Sequence, residues 1–297
     1  MRYALHGLIV ESDLPLASAA AAQGSATDLT IVARAEPYDD VVPPGRLLAG
    51  DPDGRWSALV ETEAGLVIHV PGVCRFAIDP SLARVECLIA PDADPGMAAI
   101  LAGGNLLATI LGLRGVGMLH ASTVAFDGRA IAIAGASGTG KSTVAALLCE
   151  AGGLLVGDDV LRVDESMRCL PGSTQIRLRP QAEALAGGFE SRTPTPDRRV
   201  AITPPAAPGP VPLAAVLLPR PSRERDTVAL QPLPAAEAAA EMLRCARIMG
   251  WRDRGAMQAQ FDLATRIAAA VPVAQAHIPW GPPFPPAIAA EIRTVLA

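Results

Sequence analysis

Aromatic residues are scarce in this chain. They make up 3% of its 297 residues, whereas hydrophobic residues make up 50%. The cores must therefore be built mostly from Ala, Leu, Val and Ile, and small aliphatic cores of this kind favour layered α/β packing. The length is sufficient for one large domain or two ordinary ones.

Clustered positive charge is also lacking. The formal net charge is −5, and the basic residues are scattered along the sequence instead of forming a stripe. A groove for nucleic acid, or for another polyanionic partner, is therefore not expected. Lysine is almost absent, because 24 of the 25 basic side chains are arginine and Lys141 is the only lysine.

Paired cysteine motifs are absent too. The number of cysteines is odd and none forms a CxxC pair, which predicts buried, reduced thiols in a cytoplasmic protein, not a disulfide framework or a zinc site. They are Cys74, Cys87, Cys149, Cys169 and Cys245. The first residues, MRYALHGLIVESD, reach acidic side chains before any long apolar core, so no secretory signal is expected.

No stretch is clearly long enough to span a membrane. The most apolar one, MAAILAGGNLLATILGL at residues 97–113, is of marginal length and contains Asn105 and Thr109. We expect a buried helix there and no membrane span.

The chain is expected to contain two domains of the α/β (α+β) class. Short apolar runs separated by turn residues predict a β-rich module over residues 1–92, with one helix near PLASAAAAQ. The turn cluster PDADPG at residues 91–96 marks the boundary, and residues 93–297 form the second domain.

The centre of the sequence predicts a β-hairpin, a glycine-rich loop, a helix and a strand. HASTVAF and RAIAIAG flank the turn pair Asp127-Gly128, and if Phe126 faces Arg129, His120 lies opposite Gly135. Apolar residues then recur with helical spacing from 144 to 151. The buried strand LLV at 154–156 follows, and in a parallel arrangement it can neighbour the strand before the loop.

The C-terminal part is less regular in sequence. Residues 192–225 are rich in proline and arginine, which favours irregular loops with one core strand at LAAVLL. Helices are expected at 235–249, 258–270 and 286–296.

Residues 135–143, GASGTGKST, match the phosphate-loop pattern GxxxxGK[ST]. Backbone N–H groups and the start of the following helix would surround ATP phosphates, Lys141 would reach the β and γ phosphates, and Ser142 would ligate Mg²⁺. A compact ammonium suits such a cradle better than an arginine fork. The predicted ATP-binding residues are Gly135, Ala136, Ser137, Gly138, Thr139, Gly140, Lys141, Ser142 and Thr143.

Asp158 and Asp159 follow the strand after the phosphate-loop helix. One carboxylate could hold Mg²⁺ while the other accepts the proton of an attacking hydroxyl. Adjacent residues on a strand point to opposite faces, so the two are not expected to share a role. His120 could polarise a phosphate oxygen or orient an aspartate.

Residues 119–163, from LHASTVAFDG to GLLVGDDVLRV, resemble the core of the bacterial HPr serine kinase/phosphorylase family. The resemblance implies a P-loop kinase domain with a mixed sheet, of the phosphoenolpyruvate carboxykinase-like type. Asp158 would be its acid/base residue, His120 and Lys141 would assist catalysis, and Ser142 and Asp159 would lie near Mg²⁺. TQIRLRP at 174–180 departs from the family's Glu-Ile-Arg-Gly stretch, so phosphorylase activity is not expected.

Two further segments, YALHGLIVESDLPL and PDRRVAI, resemble the HPr-kinase-like proteins found beside peptide-maturation genes. These include lasso-peptide kinases, which phosphorylate the terminal serine of a precursor peptide. Arginines in this region could contact the transferring phosphoryl or an acidic substrate, or lie solvated at the surface. They are Arg177, Arg179, Arg198 and Arg199.

The expected function is that of an ATP- and Mg²⁺-dependent kinase acting on a serine of a peptide or small protein, with a lasso precursor peptide preferred. HPr is the alternative protein substrate. A small-molecule kinase and a non-kinase ATP-binding or ATPase switch protein remain open, as does assembly into a homo-oligomer. The β-rich module is expected to help position the substrate.

Overall fold

Two compact units make up the chain in a computed structural model that describes residues 1–34, 38–51 and 57–296. One unit contains Met1–Gly117 and Ile248–Ala259, and the other contains Met118–Arg247 and Gln260–Ala297. Both contain mixed sheets, so the predicted α+β class is confirmed. The division differs from the predicted boundary after residue 92, because the helical stretch that follows belongs to the first unit.

The first unit is built on a sheet of nine strands among the described residues, in the order β3-β1-β2-β4-β9-β8-β7-β6-β5. Most neighbours are antiparallel, but β4 is parallel to both β2 and β9. The strands are β1 Arg2–Leu5, β2 Leu8–Ser12, β3 Ala19–Ala20, β4 Leu29–Arg34, β5 Arg46–Gly50, β6 Ala58–Thr62, β7 Gly65–Val70, β8 Cys74–Ile78 and β9 Arg84–Ile89.

The helix predicted near PLASAAAAQ is wrong. Ala19 and Ala20 instead pair with Ala4 and Tyr3 at the edge of the sheet, and the Ser18 hydroxyl donates to the Ala4 carbonyl at 2.6 Å. Strand pairing therefore overrides the helix propensity of the alanines. The other predicted runs form strands where they fall on described residues; Arg55 and Trp56, at the start of RWSALVET, lie outside them.

The apolar stretch is helical, as predicted. It comprises α1 Pro95–Leu101, a π-helical turn Ala102–Leu106 and α2 Leu107–Leu113, and the Asp94 carboxylate caps its start. Among the described residues, Pro95–Leu113 is one helical stretch long and apolar enough to cross a membrane. Within that stretch, 61% of the most apolar window is buried inside the protein, as in a core helix.

The second unit contains a seven-stranded sheet with the order β12-β10-β11-β17-β19-β18, in which β13 also pairs with β17. A smaller sheet has the order β14-β16-β15. The strands are β10 Ala121–Phe126, β11 Arg129–Ala134, β12 Leu154–Gly157, β13 Arg168–Cys169, β14 Ile176–Leu178, β15 Arg192–Thr195, β16 Arg199–Ile202, β17 Val211–Ser222, β18 Ala229–Pro232 and β19 Val273–Pro279.

The remaining helices include α3, which follows the glycine-rich loop. They are α3 Lys141–Glu150, α4 Ala235–Leu243, α5 Arg254–Ala270 and α6 Ile288–Arg293, with 3₁₀ turns at Pro180–Gly188 and Thr294–Leu296. The predicted helix at 235–249 is therefore too long at its C-terminal end. The region 192–225 is more regular than predicted, because β15 and β16 form a hairpin and β17 extends well beyond LAAVLL.

The hairpin of β10 and β11 has the predicted register. Phe126 pairs with Arg129, and the Gly135 N–H donates to the His120 carbonyl at 3.2 Å. The position of β12 differs from the expectation, since β12 pairs antiparallel with β10 and does not touch β11. Because β10 is antiparallel to both β11 and β12, these two strands run in the same direction. Both therefore end at one edge of the sheet.

Both faces of this sheet are covered. Helix α3 packs on one face through Val144 and Leu148, against Ile131 and Ile133 of β11. Residues of α4 and the second half of α5 cover the other face, where Met242 and Leu263 are buried. The five cysteines are free and buried, as predicted.

The turn after α3 gives a stability prediction. A Cβ on Gly153 would lie 2.5 Å from Val124 Cγ1 and 2.8 Å from the Leu148 carbonyl oxygen, whereas a Cβ on Gly187 would meet nothing within 4 Å. We expect Gly153→Ala to lower the free energy of unfolding by roughly 1–3 kcal/mol. Gly187→Ala, the matched control, should change it little; thermal melting of both variants checks this, and equal melting temperatures would contradict it.

Candidate functional site

The glycine-rich loop joins β11 to α3 at the edge of the sheet. Gly138 and Gly140 have φ values of 90° and 93°, a left-handed conformation that favours glycine. Residues 136–138 are exposed, and the Thr139 hydroxyl donates to the Ala136 carbonyl at 2.9 Å. The loop thus forms an accessible turn at the start of a helix, the arrangement that binds phosphate groups.

Lys141 lies beneath this loop. Its side chain is buried, and its ammonium donates to the carbonyl of Ala136 at 2.8 Å. Burial lowers the pKa of Lys141 from its usual value, while the nearby carboxylates of Asp158 and Asp159 oppose this change. The lone lysine is therefore held at the base of the loop with anions close by.

Asp158 accepts hydrogen bonds from uncharged donors. The Ser122 hydroxyl donates to Oδ1 at 2.5 Å, and the Ser142 hydroxyl lies 3.1 Å from the same oxygen. The Arg177 backbone N–H donates to Oδ2 at 3.3 Å. Asp158 is buried, and its contact with Ser142 joins the end of β12 to the first turn of α3.

Asp159, the next residue, has cationic neighbours. It leaves the strand with a φ of 74°, and its carboxylate lies 2.9 Å from Arg247 Nη2, 3.6 Å from Arg177 Nη2 and 3.1 Å from His120 Nε2. Burial alone would raise the pKa of Asp159, but these partners outweigh it and hold the pKa far below its usual range. The carboxylate is therefore ionised throughout the neutral range.

The two aspartates follow β12 and have different neighbours, because the backbone turns at Asp159 with a positive φ; Ser142 and Asp159, the predicted metal ligands, are not in contact with each other in the hydrogen bonds of this site. Ser142 contacts Asp158, whereas Asp159 is engaged by two arginines and His120. A guanidinium-paired carboxylate is a poor position for another cation, so the hydroxyl of Ser142 and the carboxylate of Asp158 are the better donor set for Mg²⁺. Within the described ranges, no group of three His, Cys, Asp or Glu side chains could hold a metal without further ligands.

The four predicted arginines fall into two pairs. Arg177 links Asp159 to Asp197, and Arg179 donates to the Ser137 hydroxyl at 2.9 Å, so both lie at the site. Arg199 pairs with Asp197 at 3.3 Å, and Arg198 is exposed in the β15–β16 turn with a φ of 59°. The structure therefore places only the first pair against the loop and the aspartates.

Three site residues were missed in the sequence. Ser122 could have been found, because it lies two residues after His120 in the predicted strand HASTVAF, and alternate residues of a strand share a face. Arg247 and Asp197 carry no motif and reach the site from distant parts of the sequence, so only the fold reveals them.

A comparison of the chain with models of protein families gave no match, and a comparison with curated proteins gave no similar protein.

The surroundings of Asp159 give a prediction for stability. Asp159→Asn leaves Arg247 and Arg177 without their shared counter-charge, so we expect a loss of roughly 1–3 kcal/mol in the free energy of unfolding. Because the folded-state pKa of Asp159 is depressed, its contribution is complete above the ordinary aspartate pKa and is lost only as the pH falls below it.

Chemical denaturation of the wild type and the variant at several pH values measures this difference. The difference should shrink as the pH falls below about 5, where Asp159 of the unfolded chain becomes protonated. Asp127→Asn is the control, because the Asp127 side chain is 87% exposed. A difference that grew as the pH fell below about 5 would contradict the assignment.

Proposed function

We propose that this protein is an ATP- and Mg²⁺-dependent phosphotransferase whose acceptor is a hydroxyl group. The contact between Ser142, in the first turn after the glycine-rich loop, and Asp158, at the end of a strand on the same edge, carries this proposal. A P-loop hydroxyl and a strand-end carboxylate form the protein part of a nucleotide-bound Mg²⁺ site. Nothing else in the described part of the chain combines an exposed loop of this kind with a carboxylate.

The proposed donor side uses residues 135–143, Asp158 and Arg179. The loop N–H groups and the ammonium of Lys141 would surround the β and γ phosphates, and Ser142 and Asp158 would hold Mg²⁺. Bound there, the ion would neutralise charge on the phosphate oxygens. Arg179, which already contacts Ser137 of the loop, would add a guanidinium beside the phosphates.

The proposed acceptor side uses Asp159 and its partners. From the sequence, Asp158 is expected to be the acid/base residue and Asp159 to lie near Mg²⁺, whereas in this proposal Asp158 holds the metal instead. Among the residues that the structure describes, His120 is the one group beside the loop that combines proton-transfer chemistry with an orienting carboxylate, at 3.1 Å from Asp159. We assign it the proton of the incoming hydroxyl. Arg177 and Arg247 would stabilise charge on the phosphoryl group during transfer.

The acceptor class rests on the resemblance described above, not on the site itself. A serine of a ribosomally made precursor peptide is the preferred acceptor, with HPr as the alternative, and the free, buried cysteines suit a cytoplasmic enzyme. A small-molecule acceptor and an ATPase switch are the competing functions.

Mass spectrometry tests the proposal. The protein is incubated with Mg²⁺, ATP and a precursor peptide ending in serine, with HPr in a parallel reaction and a peptide ending in alanine as control. We expect one added phosphate on the serine peptide alone. Accumulation of ADP with neither acceptor modified would replace the peptide kinase with an ATPase or a metabolite kinase.

Variants separate the two sides of the site. His120→Ala should lower the transfer rate by about 10²–10⁴-fold while leaving ATP affinity nearly unchanged, because it removes the proton acceptor only. Ser142→Ala should instead weaken ATP binding in the presence of Mg²⁺. Asp127→Asn, an exposed change at the opposite end of the β10–β11 hairpin, is the control for both. Unchanged transfer in His120→Ala would exclude the assigned role.

The single lysine provides an independent test of the phosphate site. An amine-reactive reagent can label only Lys141 and the N-terminal amine, since the sequence has no other lysine. Because Lys141 is buried, the reaction is run until Lys141 is measurably labelled without nucleotide; ATP with Mg²⁺ should then slow its labelling further while the N-terminal amine reacts at its usual rate, as read by peptide mass mapping. Equal labelling with and without nucleotide would argue against phosphates at this loop.

A further inference from the structure

Trp280 is an exposed tryptophan in a chain with few aromatic residues. It follows β19 directly, and 54% of its surface is accessible. The guanidinium carbon of Arg223 lies 4.7 Å from the centre of the indole ring. One ring face is therefore engaged by a cation, and much of the remaining surface is accessible to a ligand.

The strand directions place this tryptophan at the same edge as the phosphate loop. β11, β17 and β19 are parallel neighbours, so their carboxyl ends share that edge. β11 ends at the glycine-rich loop, whereas β17 and β19 continue to Ser222 and Pro279. The backbone N–H of Trp280 donates to the Ser222 carbonyl at 2.8 Å, which holds the two strand ends together.

The strand register also gives the distance between Gly135 of the loop and Trp280. Ile133 is level with Leu217, and Leu217 with Ala274, so Trp280 lies four residues further along the strand direction than Gly135 and two strands to the side. At roughly 3.3 Å per residue and 4.8 Å per strand, the distance is on the order of 15 Å. An extended nucleoside triphosphate spans a distance of this size.

Trp280 also lies in the direction from the loop in which the nucleoside part of a bound nucleotide would extend. Asp158 follows β12, which lies beyond β10 on one side of β11, whereas Trp280 lies on the other side. Phosphates held between the loop and Asp158 would leave the nucleoside free to extend over the ends of β17 and β19. Ala276 and Ile278 belong to the core cluster beneath α3, and by alternation Trp280 continues the same face.

The segment after Trp280 folds back on itself at Gly281 and Phe284. The Phe284 ring lies so close to Gly281 that a Cβ there would come within 2.5 Å of it, and Phe284 itself packs against the α3 core. Two prolines, Pro282 and Pro283, lie between them. The Trp280 ring itself is restricted by the Arg223 guanidinium over one face and by the backbone hydrogen bond to Ser222, and a restricted ring loses less conformational freedom when a ligand stacks on it.

We propose that the indole ring of Trp280, held between Arg223 on one side and the ligand on the other, stacks against the purine base of the nucleotide. This inference rests on the proposed function, because it concerns the nucleotide whose phosphates that function assigns to the loop. Aromatic stacking on a base is tolerant of sequence and adds affinity for the nucleoside part alone.

Calorimetric titrations with two probes, ATP and inorganic tripolyphosphate, each with Mg²⁺, test this role. Trp280→Ala should weaken ATP binding by on the order of tenfold or more and leave tripolyphosphate binding unchanged. Trp280→Phe should keep most of the ATP affinity. Phe261→Ala is the matched control, since Phe261 is an exposed aromatic residue on α5.

Each outcome has a separate meaning. Unchanged ATP affinity in Trp280→Ala would overturn the stacking role while leaving the phosphate site intact. An equal loss for both ligands would also overturn it, because the effect would then not concern the base. Failure of the wild type to bind either ligand would overturn the proposed function as well.

Discussion

The antiparallel pairing of β10 with β11 is the constraint on which the candidate site depends. The register from Phe126 and Arg129 outward brings His120 level with Gly135. Because β12 is antiparallel to β10 in turn, it ends at the same edge as β11, although the two strands do not touch. One edge of the sheet therefore carries the glycine-rich loop, the two aspartates and the histidine. This does not require β12 and β11 to pair with each other.

At that edge, the consecutive residues Asp158 and Asp159 have carboxylates with different neighbours, uncharged donors around the first and cationic groups around the second. Asp158 accepts hydrogen bonds from two serine hydroxyls and a backbone N–H, all of them uncharged donors, so no guanidinium occupies its oxygens and a cation could bind there. Asp159 turns away with a positive φ into a group of arginines and a histidine, which compensate its charge and fix its position. In the proposed function, this difference in charged neighbours is the reason for giving Mg²⁺ to the first carboxylate and the orientation of His120 to the second.

Local features of this arrangement could be predicted from the sequence. The Asp127-Gly128 turn, the helix after Gly140 and the strand before Asp158 each depend on residues close together in the chain. The neighbour of β12, the hairpin of β15 and β16 and the ion pair between Arg247 and Asp159 depend on pairing between distant segments. The proline-rich composition of residues 192–225 predicted irregular loops and gave no sign of the β15–β16 hairpin. The alanines near residue 20 predicted a helix, whereas they pair at the edge of the sheet. Which aspartate lies beside Ser142 could not be read from the sequence for the same reason, since only the surrounding arginines distinguish the two carboxylates.

The most direct test of this account is the binding of Mn²⁺ with ATP, measured by electron paramagnetic resonance as the fraction of free ion. The account predicts that Asp158→Asn weakens formation of the ternary complex, whereas Asp159→Asn, measured where it is folded, binds Mn²⁺ and ATP as the wild type does. Loss of Mn²⁺ binding in Asp159→Asn with normal binding in Asp158→Asn would contradict the division of roles between the two carboxylates.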